Sequence, residues 1–288
     1  MLFRSQAGIP YDSDEGRALC GALSAILTGR SYAASALLAA EHGAFDGFQE
    51  NREEMLRVIR NHRRAAYGVS RTSDEWESLR IRPVPIDHAP FKGENLPIAN
   101  AGDVLGRALA AWDDALLFGT KFGYRNAHVT VIAPTGTISI IADCAAGIEP
   151  LYGIHLVRTV MDGMALSSLH PAFVWHAERH GLALPALLRD LEQSPSIQHL
   201  TQLPDSLRRL FVTAHDVSPA HHVRMQAAFQ RHSDSGVSKT INLPPAATPR
   251  DVAEAFRLAH HLGCKGLTVF RSGSRGNQVL SCSQKRSC

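Results

Sequence analysis

The feature that most constrains the fold is a β-branched, apolar run, Val129 to Ala133, that leads directly into the turn sequence Pro-Thr-Gly-Thr-Ile-Ser. This pattern predicts a strand that ends in a turn carrying hydroxyl groups. Gly136 lets the backbone take a positive φ or approach an anion closely. Thr135 and Thr137 add hydroxyl donors, and a helix beginning at Ile138 would direct free N–H groups at the same point. The turn therefore suits a phosphate, and the alternative is an ordinary strand-to-helix turn.

The bulk composition is typical of a soluble globular protein, with 44% hydrophobic and 20% charged residues. The sequence contains no apolar run of about 18 residues, so no membrane span is expected. A net charge of +3 fits an anionic small-molecule substrate and is too weak to predict direct nucleic-acid binding. Five widely spaced Cys do not form a secreted disulfide framework, which favours a reducing cytoplasm. No motif predicts a metal site.

Helical periodicity dominates the rest of the chain, and predicted strands are few. The stretch 69–100 is rich in Pro, Ser and charge, which predicts a long irregular connection. The order helix, Gly, strand near the C-terminus favours α/β crossover units. The predicted helices are 12–29, 32–42, 51–67, 103–123, 166–181, 185–191, 203–211, 219–232 and 249–262, and the predicted strands are 129–133, 237–243 and 266–271.

The segment 126–150, NAHVTVIAPTGTISIIADCAAGIEP, resembles the signature of the ribonucleotide reductase catalytic chain, and most closely that of the adenosylcobalamin-dependent (class II) branch. Further blocks resemble the same enzymes and occur in the family's order. These blocks are GIPYDSDEGRAL at 8–19, NREEMLRVIRNHRRAAY at 51–67, the region 213–231, VSKTINLP at 237–244 and LGCKGLTVFR at 262–271. The resemblance covers most of the chain, and it leaves the metal-dependent class I large chain open as an alternative.

The resemblance implies an α/β fold, helix-rich, that forms the C-terminal part of a ten-stranded α/β barrel of ribonucleotide reductase type. Residues 1–272 would form this barrel portion, and residues 273–288 a mobile polar tail with two Cys. In the family, the turn holds the phosphate of the ribonucleotide substrate. That role falls here on Pro134, Thr135, Gly136, Thr137 and Ile138.

Cys282 and Cys288 lie in the polar tail, where two thiols can pass electrons from a thioredoxin-like reductant by thiol–disulfide exchange. Many ribonucleotide reductases end in such a pair. Five residues separate the two Cys here, whereas the family holds four. The alternative is two unpaired surface thiols. Glu149 is either an acid/base or rim residue near the substrate or, on the simpler interpretation, a solvated or capping carboxylate.

The family's Asn-x-Cys-x-Glu motif, which supplies a reducing thiol and a carboxylate, is absent from the sequence, because no Asn is followed two places on by Cys. Two hypotheses follow. The chain is either a ribonucleoside-diphosphate reductase component that needs adenosylcobalamin and a separate N-terminal reductase chain, or a non-catalytic remnant or nucleotide-binding module. The first predicts that the chain alone does not reduce ribonucleotides.

Overall fold

The structure is a computed structural model that describes residues 5–93, 96–142, 144–159, 165–194 and 196–274. Within these ranges, none of the helices is long and apolar enough to cross a membrane. The helices are α1 (Asp14–His42), α2 (Arg52–Ala66), α3 (Ala101–Phe122), α4 (Gly136–Ile141), α5 (Pro171–Arg179), α6 (Leu184–Gln193), α7 (Asp205–Leu210), α8 (Pro219–Gln230) and α9 (Pro249–His261). The strands are β1 (His155–Thr159), β2 (Ala165–Leu169), β3 (Thr240–Leu243) and β4 (Thr268–Arg271), and one 3-10 turn covers Ala89–Phe91.

Helix α1 is one continuous helix, so the prediction of separate helices over 12–29 and 32–42 is wrong. Ser13 caps its start by accepting a hydrogen bond from the backbone N–H of Gly16 at 2.9 Å. Gly29 does not end the helix. A Cβ at this position would lie 3.0 Å from the Cβ of Ala111, so the glycine instead lets α1 pack closely against α3.

Helices α1, α2 and α3 form a layer around the largest apolar core of the described chain. Trp112 and Tyr124 fill its centre, and their rings lie near Tyr32 from α1. His62 of α2 stacks on Trp112 with 5.0 Å between ring centroids. Burial lowers the pKa of His62 to about 4, so the ring stays neutral and packs as an aromatic group.

The region after Pro150 begins with an antiparallel hairpin of β1 and β2. The predicted helix 166–181 is therefore wrong at its start, because residues up to Leu169 pair as a strand. The helix begins instead at Pro171, where the missing N–H of proline breaks no intrahelical hydrogen bond. Helices α5 to α7 then enclose a second core that contains Phe173 and Phe211.

Three segments near the turn run parallel to one another. Strand β3 pairs in parallel with β4, and helix α9 connects the two strands along the chain. Ile132 forms a parallel bridge to Val237, which lies just before β3. The predicted strand 129–133 is reduced to this single bridge. One reason is that the Asp234 carboxylate, rather than a second strand, accepts the N–H groups of Val129 and Thr130.

Candidate phosphate-binding turn

The turn Pro134–Ile138 follows the Ile132 bridge and passes into α4. The helix begins at Gly136, two residues earlier than predicted. All five residues of the turn are exposed, and Ile138 keeps 62% of its surface accessible. The N–H groups in the first turn of a helix have no intrahelical acceptor, so they remain available to an anion.

Thr135 is the only described non-glycine residue with a positive φ, at 52°. This left-handed conformation is uncommon for a residue with a branched side chain, and the surrounding contacts must maintain it. The Thr135 hydroxyl oxygen accepts a hydrogen bond from the Gly147 N–H at 2.7 Å. The backbone carbonyl of Thr135 accepts a hydrogen bond from the Ser139 N–H at 3.0 Å. The hydroxyl proton of Thr135 can still be donated, because a hydroxyl both donates and accepts.

Glu149 caps no helix of the described chain, and its side chain keeps 27% of its surface exposed. Its two carboxylate oxygens accept hydrogen bonds from the Lys239 ammonium and from the Thr240 N–H. The Lys239 side chain is fully buried. Burial lowers the pKa of Lys239 from its ordinary value, and the Glu149 carboxylate opposes that change.

Asp234 anchors the segment that leads into the turn. Its carboxylate accepts hydrogen bonds from the Tyr32 hydroxyl at 2.8 Å, the Val129 N–H at 2.8 Å and the Thr130 N–H at 3.2 Å. Burial, followed by the neighbouring Asp234 charge, raises the pKa of Tyr32, which therefore remains a hydrogen-bond donor. Asp234 thus joins helix α1 to the backbone just ahead of the turn.

A cavity of about 430 Å³ lies beside the turn. Leu19 and Leu23 of α1 and Phe229 of α8 form apolar walls. Val131 and Thr135 are among the residues that line the side of the turn. Val131 is 60% exposed even though it belongs to the paired segment. The cavity therefore offers an apolar surface directly next to the candidate anion site.

The other predicted site residues, Cys282 and Cys288, lie outside the described residues, and the predicted tail 273–288 lies almost entirely outside them. The shuttle therefore stays a prediction. Cys264 is in reduced form, and burial raises its pKa to about 11, so its thiol is poorly suited to exchange. Cys20 is buried and lines the cavity.

Sequence reasoning did not identify Lys239 or Asp234 as contributors to the site. Lys239 lies in a predicted strand, two positions from Val237 and from Ile241. Alternate residues of a strand share a face, so a cation on this apolar face is a usable signal for a buried partner. Asp234 has no such local signal, because its partners are 104 and 105 residues away along the chain.

Comparison with known proteins identifies the class to which this arrangement belongs. The profile of the family described as ribonucleotide reductase, barrel domain, matches residues 3–270. The chain therefore belongs to the ribonucleotide reductase barrel family. The prediction of an α/β, helix-rich part of that barrel is confirmed.

Individual relatives point to one branch of the family. The vitamin B12-dependent ribonucleotide reductase of Agrobacterium fabrum is 32% identical over 379 residues, which covers 96% of this chain and 29% of the relative. The vitamin B12-dependent ribonucleoside-diphosphate reductase of Thermoplasma acidophilum is 44% identical over 239 residues, covering 80% of this chain and 31% of the relative. The Mycobacterium tuberculosis enzyme of the same name is 44% identical over 157 residues, which covers 54% of this chain and 22% of the relative. The chain spans less than a third of the length of each.

Proposed function

We propose that this chain contributes the substrate-phosphate site of a reductase that converts ribonucleoside diphosphates to 2′-deoxyribonucleotides in the cytoplasm. The observation that carries the proposal is the exposed turn Pro134–Ile138, in which Thr135 is held at positive φ at the start of a helix. The diphosphate form of the substrate follows the names of the relatives from Thermoplasma acidophilum and Mycobacterium tuberculosis.

In this proposal, the turn binds and orients the substrate and does not react with it. The backbone N–H groups at the start of α4 and the hydroxyls of Thr135 and Thr137 donate hydrogen bonds to phosphate oxygens. Replacing the ribose 2′-hydroxyl by hydrogen releases water and consumes two electrons, which two thiols supply as they form a disulfide. The Asn-x-Cys-x-Glu motif that brings one of these thiols and the carboxylate is absent from this sequence.

A separate N-terminal reductase chain is the proposed source of the missing groups. Several features of the described surface support docking beside the turn. Val131 is exposed at the bridged segment, and Leu23 and Leu27 of α1 keep 36% and 48% of their surface accessible. Leu23 and Val131 line the apolar cavity. We propose that an apolar side chain of the N-terminal chain enters this cavity and excludes water from the phosphate site.

Adenosylcobalamin is the proposed cofactor of the whole reductase, since the relatives are named vitamin B12-dependent. The cofactor would supply the radical that starts the reaction. It does not fit the cavity beside the turn, because about 430 Å³ accommodates a drug-sized molecule and a corrin macrocycle with its side arms is much larger. We therefore assign no residue of this chain to the cofactor.

The test of the phosphate role is steady-state kinetics of this chain reconstituted with an N-terminal reductase chain and adenosylcobalamin. Replacing both Thr135 and Thr137 by Ala is expected to raise KM for the ribonucleoside diphosphate about tenfold or more, because each hydrogen bond to a charged group contributes about 1.5–3 kcal/mol. Thr201→Ala, which removes an exposed threonine outside the turn, serves as the control. An unchanged KM in the double variant would remove the phosphate role.

The tail cysteines carry a separate proposal, in which Cys282 and Cys288 pass electrons from a thioredoxin-like reductant to the active-site disulfide. Replacing both by Ser is expected to abolish turnover with thioredoxin and to preserve turnover with dithiothreitol, which reduces the disulfide directly. Equal turnover of the wild type and the variant with thioredoxin would contradict the shuttle.

The second candidate function is nucleotide binding without catalysis, and the absent Asn-x-Cys-x-Glu motif favours it. The same reconstitution separates the two functions. A non-catalytic module binds the nucleotide but gives no deoxynucleotide with any N-terminal chain.

A further inference from the structure

We propose that the ion pair between the buried Lys239 and the partly exposed Glu149 positions the phosphate turn by holding Gly147 against Thr135. Lys239 and Glu149 are positioning residues in this scheme and do not touch the substrate. The inference rests on the proposed phosphate role of the turn and adds the residues that keep the turn in its binding conformation.

Lys239 lies immediately before β3. Its side chain has 0% exposure, and its ammonium contacts the Glu149 carboxylate and donates to the Thr240 carbonyl at 2.6 Å. The second Glu149 oxygen accepts the Thr240 N–H at 2.6 Å. The carboxylate is therefore held at two points by one strand, 90 residues away in sequence.

Glu149 in turn fixes the chain that contacts the turn. Its N–H donates to the Ala146 carbonyl at 2.9 Å, which closes a tight turn around Gly147. Gly147 has a φ of 46°, and a Cβ there would lie 3.1 Å from the Ala133 carbonyl oxygen. Only a glycine allows this close approach without strain. From this position the Gly147 N–H reaches the Thr135 hydroxyl at 2.7 Å.

These contacts form one continuous path from the sheet to the turn. Strand β3 holds Glu149, Glu149 ends the short turn around Gly147, and Gly147 holds Thr135 in its left-handed conformation. The path gives a role to this ion pair, although a buried charge such as that of Lys239 contributes little net stability compared with an apolar residue of the same size. The Glu149–Lys239 pair acts by fixing the geometry of the turn.

Variants of the pair separate positioning from stability. Glu149→Gln leaves a buried cation without its carboxylate and is expected to destabilise the fold. Lys239→Met keeps the length of the side chain and removes the charge. The double variant Glu149→Gln with Lys239→Met removes both charges, and it is expected to unfold at a higher temperature than Glu149→Gln alone. A role in stability alone predicts that the double variant recovers function as well, whereas positioning predicts that it does not.

The experiment uses the full chain and two readouts. The first is amide hydrogen exchange at Gly147, measured by NMR, which reports the contact with Thr135 without any ligand. The second is the affinity for ADP, measured by calorimetry. Glu77→Gln is the matched control, because it removes a carboxylate from the Arg60 and Arg64 ion pairs and leaves the turn intact.

We expect Lys239→Met and the double variant to speed Gly147 exchange at least about tenfold and to weaken ADP binding at least about tenfold, while Glu77→Gln changes neither. Unchanged Gly147 exchange in the double variant would overturn the positioning role. If Gly147 exchange depends on the pair but the wild type binds no ADP, the positioning role stands and the phosphate role of the turn is overturned.

Discussion

The helical layer of α1 to α3 and the segment 129–133, which leads into the turn, differ in their backbone hydrogen bonding and in how fully their side chains are buried. Helices α1 to α3 satisfy their backbone groups internally and bury Trp112 and Tyr124 at 1% and 0% exposure. The segment 129–133 has a single bridge, to Val237, and leaves Val131 60% exposed. A helix can complete itself, whereas a barrel strand needs a neighbour on each side. The candidate site therefore lies on the less complete of the two regions.

Partly buried polar side chains take over part of the missing strand pairing. Asp234 accepts backbone N–H groups ahead of the turn, and Glu149 accepts one from β3 behind it. Side chains of this kind fix a short segment at a few points, and a strand ladder fixes it along its whole length. The difference implies that the turn depends on individual residues more strongly than the helical layer does.

The largest expected effect tests the completeness of the helical layer. Trp112→Ala should lower the free energy of unfolding by about 3–5 kcal/mol, because it leaves a large cavity between α1, α2 and α3. Leu117→Ala on the same helix is the control, since Leu117 is 64% exposed and should change stability by less than about 0.5 kcal/mol. Chemical denaturation measures both. Equal effects of the two substitutions would mean that the layer is not the main core.

The second prediction concerns the anchor ahead of the turn. Asp234→Ala should cost about 2 kcal/mol, because the N–H groups of Val129 and Thr130 lose their acceptor. Amide exchange at these two positions should quicken, while exchange in α2 should follow only the global change in stability. Asp74→Ala, at an exposed position, is the control. Protection of Val129 and Thr130 that survives the substitution would show that another group pairs this segment.

The third prediction tests whether the open side of the segment is a docking surface. Val131→Asp should weaken binding of an N-terminal reductase chain at least about tenfold, since it places a charge in an apolar contact. The stability of the isolated chain should change little, because Val131 is already exposed. Leu117→Asp, equally exposed on α3, should leave binding unchanged. Binding that is the same for both variants would place the contact elsewhere.

The smallest effect is electrostatic and belongs to the helical region. Hydrogen bonds from Arg60 and Arg64 hold the pKa of Glu77 at about 2, below its ordinary value of 4.5. A depressed carboxyl pKa stabilises the folded state above the unfolded pKa, and the contribution is lost as pH falls through the folded value. Glu77→Gln should therefore cost about 1 kcal/mol at pH 7, and its difference from wild type should shrink between pH 4.5 and 2. A difference that does not depend on pH would contradict the ion-pair assignment.

The same contrast between regions explains what the sequence could predict. Helix ends at Gly43, Gly68 and Gly263 were predictable, since each glycine has the positive φ that ends a helix locally. Gly29 resembles these glycines in sequence, but its role depends on contact with Ala111, which sequence periodicity does not reveal. Local signals therefore predicted most of the helical layer but did not show that α1 is a single continuous helix.

At the site, the turn itself was predictable because its residues are contiguous and belong to a recognisable block. The residues that hold its flanks were not predictable, because Asp234 binds Val129 from 105 positions away and Lys239 binds Glu149 from 90 positions away. The start of α4 at Gly136 also differs from the expected Ile138. The chemistry of the turn is thus encoded locally, and its geometry depends on contacts that only the folded chain brings together.

We propose that this chain holds a ribonucleotide by its phosphate and needs a separate N-terminal reductase chain to reduce it. The most direct measurement is deoxynucleotide formation by the purified chain with adenosylcobalamin and dithiothreitol, with and without a separate N-terminal reductase chain. We expect no product from the chain alone and turnover when both chains are present. Deoxynucleotide formed by the chain alone would contradict it.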